Sequence, residues 1–201
     1  MQQLHVGCGG VAGGARHSPT PYSFVYYNNP VPASDQGLSE KRYTLVPRTL
    51  IFLTCEDKIL LLKGGPHKRL WAGLYNGVGG HVERGEDILS AARRELLEET
   101  GLDDADLWLC GTVTVDAGEE VGIGIFVFRG DGEVAGDPSP TLSSPDGELE
   151  WVAVERLEQL PLVEDLPVLL PRVLAAKRGE APFAARSRYD PAGRLLVSFA
   201  N

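Results

Sequence analysis

The sequence contains few sulfur-bearing side chains and no long apolar stretch. Its three cysteines, Cys8, Cys55 and Cys110, are odd in number and far apart, so they fit neither a disulfide framework nor a zinc ligand set. No apolar run reaches the roughly 18 residues of a membrane span, and the N-terminus lacks the basic-then-apolar order of a signal peptide. We therefore predict a cytoplasmic protein that does not enter the membrane.

Basic residues are also scarce. The chain has 19 Lys and Arg against 28 Asp and Glu, which gives a formal net charge of −9. Nonspecific nucleic-acid binding depends on neutralising phosphates with Lys and Arg, so this charge balance argues against a nucleic-acid partner. A polyanionic small molecule would need a metal ion to mediate its binding. The oligomeric state stays open.

The first part of the chain differs in composition from the rest. Residues 1–40 are rich in Gly, Pro, Ser and Asn and show no sustained period of 2 or 3.6. Such a segment buries too little apolar surface to offset its chain entropy. We predict that residues 1–42 form a largely disordered tail and residues 43–201 one domain. Because Met1 is the only methionine, a second hypothesis is a non-ATG start nearer Arg42.

The remaining sequence alternates short apolar strands with turns and two helices. Glu56 and Asp57 mark a hairpin turn, and the first helix is predicted to start after Asp87 and stop at Gly101. The second helix is predicted from about Pro167, with Pro171 in its first turn. This order predicts an α+β fold with a mixed sheet flanked by helices. The predicted strands are TLVPRTLIFLT, KILLLK, LWLCGTVTVD, GIGIFVFRG, LEWVAV, PFAARSRYD and RLLVSFA.

The first helix carries an unusual concentration of like charge. Glu95, Glu98 and Glu99 fall on successive turns, where like charges three or four residues apart cost a few tenths of a kcal/mol per pair. Mg²⁺ binds through a few carboxylates together with waters and substrate phosphates, so a shared metal ion would turn this repulsion into attraction. Glu86 is placed to approach from the preceding turn. The alternative interpretation is a solvated acidic helix face.

The spacing of the motif decides between these interpretations. From Gly80 to Leu102 the chain reads G-x5-E-x7-R-E-L-L-E-E-T-G-L, which resembles the Nudix box, G-x5-E-x7-R-E-U-x-E-E-x-G-U, without a departure. A chance match in a chain of this length has odds of about one in a million. The resemblance covers residues 43–201 and implies a Nudix hydrolase with an α/β/α sandwich around a central mixed sheet.

The resemblance also implies the cofactor and its ligands. Such enzymes hydrolyse a diphosphate linkage in a nucleoside diphosphate attached to a further group, using Mg²⁺ or Mn²⁺. Glu86 would be a water-mediated or more distant partner of the metal, and Arg94 would orient a glutamate, with a surface ion pair as its alternative role. The implied metal ligands are Glu95, Glu98, Glu99 and the Gly79 carbonyl.

Hydrolysis also requires a base that deprotonates the attacking water. We assign this role to Glu95, and Arg94 and Glu98 complete the predicted catalytic set. Three carboxylates outside the box are rival candidates for an additional acidic group, although each is equally explained as a solvated loop residue: Glu119, Glu120 and Asp146.

The loop before the helix bears on the substrate. The segment GLYNGVGGHVERGE resembles the corresponding loop of MutT-like enzymes, which convert oxidised purine nucleoside triphosphates to monophosphate and pyrophosphate. The resemblance implies that Asn76 binds the base, although an Asn before Gly is also a common turn residue. We assign Gly80, Glu164 and Asp165 to substrate binding as well. The predicted reaction is Mg²⁺-dependent hydrolysis of a nucleoside triphosphate such as 8-oxo-dGTP.

One position departs from this branch of the family. Where the relatives place a tryptophan that stacks on the base, this chain has Val163, and the loss of such stacking forfeits roughly 1–3 kcal/mol. Trp71 or Tyr75 would serve as a replacement, although packing in the core is the alternative for each.

Other functions on the same fold remain open. One alternative is a Nudix pyrophosphatase that acts on another nucleoside diphosphate derivative, such as an ADP-sugar. A second is a noncatalytic nucleotide-binding regulatory module, which commonly loses box glutamates that this chain keeps. A third is an isomerase, for which Cys55 and Cys110 lack an evident catalytic context.

Overall fold

The computed structural model describes residues 42–103, 105–132, 142–144 and 146–200. The predicted tail lies outside the described residues apart from Arg42. Within the described ranges, no helix is long and apolar enough to cross a bilayer. The elements are β1 Thr44–Cys55, β2 Lys58–Gly64, β3 Tyr75–Asn76, α1 Ile88–Thr100, β4 Asp106–Asp116, β5 Val121–Asp131, β6 Leu142–Ser144, β7 Gly147–Ala153, a 3₁₀ helix Val154–Gln159, α2 Leu166–Ala175, β8 Phe183–Tyr189 and β9 Leu195–Phe199.

The strands form one mixed sheet in the order β6, β7, β2, β1, β5, β4, β8, β9, with β3 paired to β2. β1 runs parallel to β5 along its full length, and β4 runs parallel to β8. The other named pairings are antiparallel. The mixed sheet that the sequence predicts is therefore confirmed.

The sheet separates two apolar layers. Along β1, Ile51 and Leu53 pack with Leu96 of α1, whereas Leu50 and Phe52 belong to the cluster that buries α2. This division follows from the strand period of two, because successive side chains of a strand point to opposite faces of the sheet. The α/β/α sandwich is confirmed, and the buried run in β1 is the central seam of both layers.

The ends of α1 lie where the sequence places them. The Asp87 carboxylate accepts hydrogen bonds from the Leu89 and Ser90 N–H groups at 2.9 Å, which satisfies two donors of the first turn. Gly101 ends the helix in the left-handed conformation, with φ 75°, where glycine carries no steric penalty. Both predicted caps are confirmed, and burial of Ala92 and Leu96 turns the apolar side of α1 to the sheet.

The second helix corrects one expectation. Pro171 does not lie in the first turn of α2, since the helix begins at Leu166 and Pro171 falls inside it. The missing N–H of a proline normally weakens a helix at this position. Here Leu166, Leu169 and Leu170 are buried in the core, so tertiary packing outweighs the local preference. The short strands β3 and β6 and the 3₁₀ helix were also not predicted.

Arg129 of β5 ties the far end of α2 to the sheet. Its guanidinium donates to the carbonyls of Leu174 and Ala176 at 2.8 and 2.9 Å, and to the Thr54 hydroxyl at 3.2 Å. A cation is favourable at a helix C-terminus, because the last carbonyls carry partial negative charge. This anchor orients α2, whose other end starts beside Asp165.

Candidate active site

A glycine-rich segment, residues 76–81, crosses the sheet beside β1, and we call it the glycine turn. It runs antiparallel to β1: the Ile51 N–H donates to the Val78 carbonyl at 2.7 Å, and the Thr49 N–H to the Gly80 carbonyl at 2.9 Å. At Gly79 φ is +145°, and a Cβ there would lie 2.3 Å from the Thr49 carbonyl oxygen. Only glycine allows this close passage over the strand.

The acidic face of α1 lies directly against the glycine turn. A Cβ at Gly80 would stand 2.5 Å from the carboxylate atoms of Glu95, so this carboxylate occupies the space that a side chain would fill. Glu99 follows one helical turn later and is only 8% exposed. The i, i+4 spacing in the sequence therefore brings two of the predicted metal ligands to one end of the glycine turn.

Arg94 organises the acidic cluster, which consists of Glu86, Glu95, Glu98 and Glu99. Its guanidinium donates to both carboxylate oxygens of Glu86, at 2.7 and 3.2 Å, and to Glu95 at 2.8 Å. A longer bond of 3.3 Å reaches Glu98, and a fourth contact at 3.0 Å reaches the His81 carbonyl. These bonds lower the pKa of Glu86 and raise that of Arg94. Arg94 is thus more than a surface ion pair.

Glu99 is the member of the acidic cluster that Arg94 does not hold. Burial raises the pKa of its carboxyl from 4.5 to about 7, and the negative charge of nearby Asp146 adds to this shift. A hydrogen bond from the Gly79 backbone opposes it. The Glu99 Oε2 atom is buried and has no hydrogen-bond partner. A buried carboxylate oxygen without a partner is costly, and a bound cation would satisfy it.

These groups fit a hard divalent cation. The donors are all oxygens, Glu99 has an unsatisfied buried oxygen, and the space beside Gly80 already holds the Glu95 carboxylate. The Gly79 carbonyl accepts no hydrogen bond from the described part of the chain. Among the described residues, no three acidic, His or Cys side chains already have the arrangement of a metal site. Arg94 accounts for this, because it draws three of the four carboxylates toward itself.

A cleft of about 330 Å³ extends from the glycine turn over the sheet on the α2 side. Four residues that the sequence assigns to substrate binding line it: Asn76, Gly80, Glu164 and Asp165. Asp146 also lines the cleft, where its carboxylate pairs with the Lys68 ammonium at 2.5 Å. Glu119 and Glu120 lie in the exposed turn before β5 and do not line the cleft, so the structure does not bring them to the acidic cluster.

The two aromatic candidates for a stacking surface differ in burial, so the structure distinguishes between them. Tyr75 is 6% exposed, and its hydroxyl donates to Glu150 at 2.7 Å; burial raises its pKa to about 12. It is therefore a core residue. Trp71 is 45% exposed, lines the cleft and has φ 62°, which is unusual for a bulky residue. The cleft-lining Val163 is buried.

Asn76 combines both roles that its position suggests. Its Oδ1 accepts a hydrogen bond from the Gly77 N–H at 2.8 Å, which is a turn-forming contact. Its amide nitrogen has no partner among the described residues and belongs to a side chain that lines the cleft. The geometry therefore leaves Asn76 a hydrogen-bond donor to offer a ligand.

Sequence reasoning missed several residues that line the cleft. Lys68 is the partner of Asp146, Tyr189 is half-exposed beside the start of α2, and Arg48 and Ser187 each carry a buried polar atom without a partner. They come from strands and loops far apart in the chain and form no local pattern. Only a correct strand register would have indicated them.

The family model described as the NUDIX domain matches residues 44–173. The chain belongs to the Nudix family. Oxidized purine nucleoside triphosphate hydrolases from Danio rerio and Mus musculus are 32% and 30% identical to this Nudix protein over 131 residues, which is 65% of the chain and 80% of each relative. A MutT protein structure from Bacillus halodurans has a TM-score of 0.61 and 27% identity, covering 78% of this chain and 97% of that one.

These findings make the chain a Nudix hydrolase. Members of the family generally use divalent metal ions, which agrees with the oxygen donors at the glycine turn. The matched region contains α1, the glycine turn and most of the cleft, and it ends within α2. The resemblance that the box spacing indicates is thereby confirmed.

The unusual burial of Glu99 in this Nudix hydrolase gives a stability prediction. Because the folded state raises its pKa, the folded state binds the extra proton, and stability is lost as pH rises from 4.5 to about 7. In chelator, Glu99→Gln should therefore match wild type at pH 4.5 and exceed it above pH 7, by about 2–3 kcal/mol. Urea unfolding at both pH values measures this. A variant that is less stable than wild type above pH 7 would contradict it.

The contact between Gly80 and Glu95 gives a second prediction. In Gly80→Ala the new methyl group must push the Glu95 carboxylate aside, while the flexible side chain lets the fold absorb the change. We expect kcat to fall by about 100-fold with little change in melting temperature, since a misplacement of about 1 Å is enough. Gly124→Ala is the control, because its Cβ would meet Leu45 at an ordinary 3.5 Å. Equal activity of the two variants would show that the carboxylate position is unimportant.

Proposed function

We propose that this Nudix hydrolase converts a purine nucleoside triphosphate, in particular an oxidised one such as 8-oxo-dGTP, to nucleoside monophosphate and pyrophosphate. One observation carries the proposal: the cleft that contains Asn76, Glu164 and Asp165 continues to Gly80, against which the Glu95 carboxylate lies. The names of the curated relatives support the same substrate class. A nucleotide pool substrate also agrees with the predicted cytoplasmic location.

The base-binding end of the cleft combines donors and acceptors. Asn76 offers an amide donor, and Glu164 and Asp165 offer carboxylates at the start of α2. Burial raises the pKa of Asp165, against a lowering backbone hydrogen bond, so a proton that would let this carboxyl donate costs less than on an exposed aspartate. A purine carries both kinds of group on its edge, and such a site distinguishes it from a pyrimidine.

Trp71 takes the part of the missing stacking residue in this proposal. Its half-exposed ring borders the cleft on the same side as Asn76, and its left-handed backbone is held because the Trp71 carbonyl packs against Gly64. Backbone strain of this kind occurs where the surroundings fix a functional side chain. An exposed indole provides a flat apolar surface for a base.

At the phosphate end, the metal ion would be held by Glu95, Glu98, Glu99 and the Gly79 carbonyl, with Glu86 as a more distant partner. Mg²⁺, or Mn²⁺ in its place, would supply charge neutralisation on the phosphoryl oxygens. Arg94 pairs with Glu86, Glu95 and Glu98 in this structure, so binding of the metal ion would turn part of this carboxylate set away from the guanidinium and toward the ion.

The proton of the attacking water requires an acceptor within hydrogen-bond reach. Glu95 fits this role, because Arg94 binds its Oε1 and fixes the carboxylate beside Gly80. Asp146, which lines the cleft and pairs with Lys68, is the alternative acid. Glu98 is more exposed and completes the carboxylate set from the solvent side.

The proposal is tested by measuring pyrophosphate release from 8-oxo-dGTP, dGTP, dCTP and an ADP-sugar, with Asn76→Ala compared to wild type. Loss of one hydrogen bond to the base should reduce kcat/KM for the purine triphosphates by about tenfold and leave dCTP nearly unchanged. If Asn76 acts only in the turn, the variant instead loses stability and depresses all substrates alike. Equal wild-type activity on all four compounds would discard base recognition.

A further inference from the structure

The floor of the cleft is mostly apolar, which makes its polar atoms conspicuous. Val115, Ile123 and Ile125 form its centre, and Arg48 on β1 and Ser187 on β8 border it. The Arg48 Nε and the Ser187 Oγ are both buried without a hydrogen-bond partner among the described residues. Buried polar atoms in folded proteins nearly always have a partner, so these two indicate a ligand or ordered water in the cleft.

The charge of Arg48 indicates that this ligand is an anion. Lys68, another cation on the cleft wall, is already paired with Asp146, whereas Arg48 forms no ion pair with any described carboxylate. An unpaired guanidinium in a chain with a net charge of −9 is available to an anion that enters from solvent. A guanidinium has only donors, and it binds phosphate oxygens with particular strength.

The position of Arg48 indicates which phosphate of a nucleotide it would contact. Arg48 forms an antiparallel bridge with His81, the last residue of the glycine turn, and Gly80 beside it contacts the Glu95 carboxylate. Arg48 therefore lies on the cleft side of the glycine turn, and the acidic cluster lies on its α1 side. Because Arg48 lines the same cleft as Asn76 and Asp165, a nucleotide whose base contacts those two residues would present to Arg48 a phosphate on the nucleoside side of the cleaved bond.

We propose that Arg48 binds the phosphate that remains attached to the nucleoside after cleavage. This inference rests on the proposed function, since it assumes that a nucleotide occupies the cleft with its base away from the acidic cluster. Arg48 then retains the nucleoside monophosphate half of the substrate by its α-phosphate, and the acidic cluster serves the pyrophosphate half. A side chain in this role sets the affinity for the monophosphate product without any metal ion.

The test is calorimetric titration in chelator, which separates it from metal-dependent turnover. The probes are 8-oxo-dGMP, the nucleoside 8-oxo-deoxyguanosine and inorganic pyrophosphate. Arg48→Gln should weaken 8-oxo-dGMP binding by at least about tenfold, because a charge-assisted hydrogen bond is lost, and leave the nucleoside unaffected. Arg48→Lys should recover part of the loss, since it keeps the charge but not the planar fork.

Two controls isolate the phosphate contact. Arg188→Gln makes the same charge change at an exposed position of β8 outside the cleft lining, and it should leave all three affinities unchanged. Ser187→Ala removes the other unpartnered polar atom without changing charge, so any loss should be the same for nucleotide and nucleoside.

Equal weakening of nucleotide and nucleoside by Arg48→Gln, or weakening of pyrophosphate alone, would overturn the inference. A wild-type protein that binds 8-oxo-dGMP through Arg48 but hydrolyses no nucleotide would overturn the proposed function and leave this contact standing.

Discussion

The mutual repulsion of the box carboxylates is the constraint on which the site depends, and Arg94 is the group that balances it. One guanidinium reaches Glu86, Glu95 and Glu98, and it also binds the His81 carbonyl of the glycine turn. It thereby joins the end of the loop before α1, the helix and the glycine turn. Removing Arg94 would free three carboxylates and leave the backbone hydrogen bond from Gly79 to Glu99 as a remaining contact between the turn and α1.

Glu99 shows the other side of this constraint. It lies beyond the bonds of Arg94, is buried with one oxygen unsatisfied, and has a pKa raised to about 7 by that burial. A side chain selected for stability alone would be neutral at this position. The protein instead keeps a carboxylate whose buried charge is relieved by a proton or by a bound cation, which fits the metal-ligand role proposed for it.

The glycine turn, which pairs with β1, connects the acidic cluster to the cleft. Its close passage over Thr49, which Gly79 permits, places the acidic cluster on the α1 side and the cleft on the α2 side of the same segment. The same short piece of chain therefore contacts both the residues proposed to bind the base and the carboxylates proposed to bind the metal ion. Arg48 lies beside the end of the glycine turn, where it forms a bridge with His81.

The features that the sequence predicts well are those with local causes. The caps of α1 at Asp87 and Gly101 follow from side-chain chemistry within one turn, and the convergence of Glu95 and Glu99 follows from helical spacing. Pro171 was misplaced because burial of α2 overrides its local cost. The pairing of strands that are distant in the sequence could not be predicted, including the parallel pairing of β1 with β5.

The same inability to predict long-range register explains why some site residues could not be identified from the sequence. Asp146 and Glu119 look alike in the sequence as loop carboxylates, yet only Asp146 lines the cleft, since the fold returns its loop to the glycine turn. Tyr75 and Trp71 are equally plausible aromatic surfaces until the core encloses one of them. Arg48 has no motif at all. The role proposed for it rests on a guanidinium that forms no ion pair with a described carboxylate, which follows only from the assembled cleft.

The acidic cluster is proposed to direct cleavage between the first and second phosphates of a nucleoside triphosphate. The most direct measurement is ³¹P NMR of the products that wild-type protein forms from 8-oxo-dGTP in the presence of Mg²⁺. The account predicts resonances of nucleoside monophosphate and pyrophosphate, and no turnover after the metal is chelated. Release of orthophosphate with a nucleoside diphosphate, or turnover that persists in chelator, would contradict it.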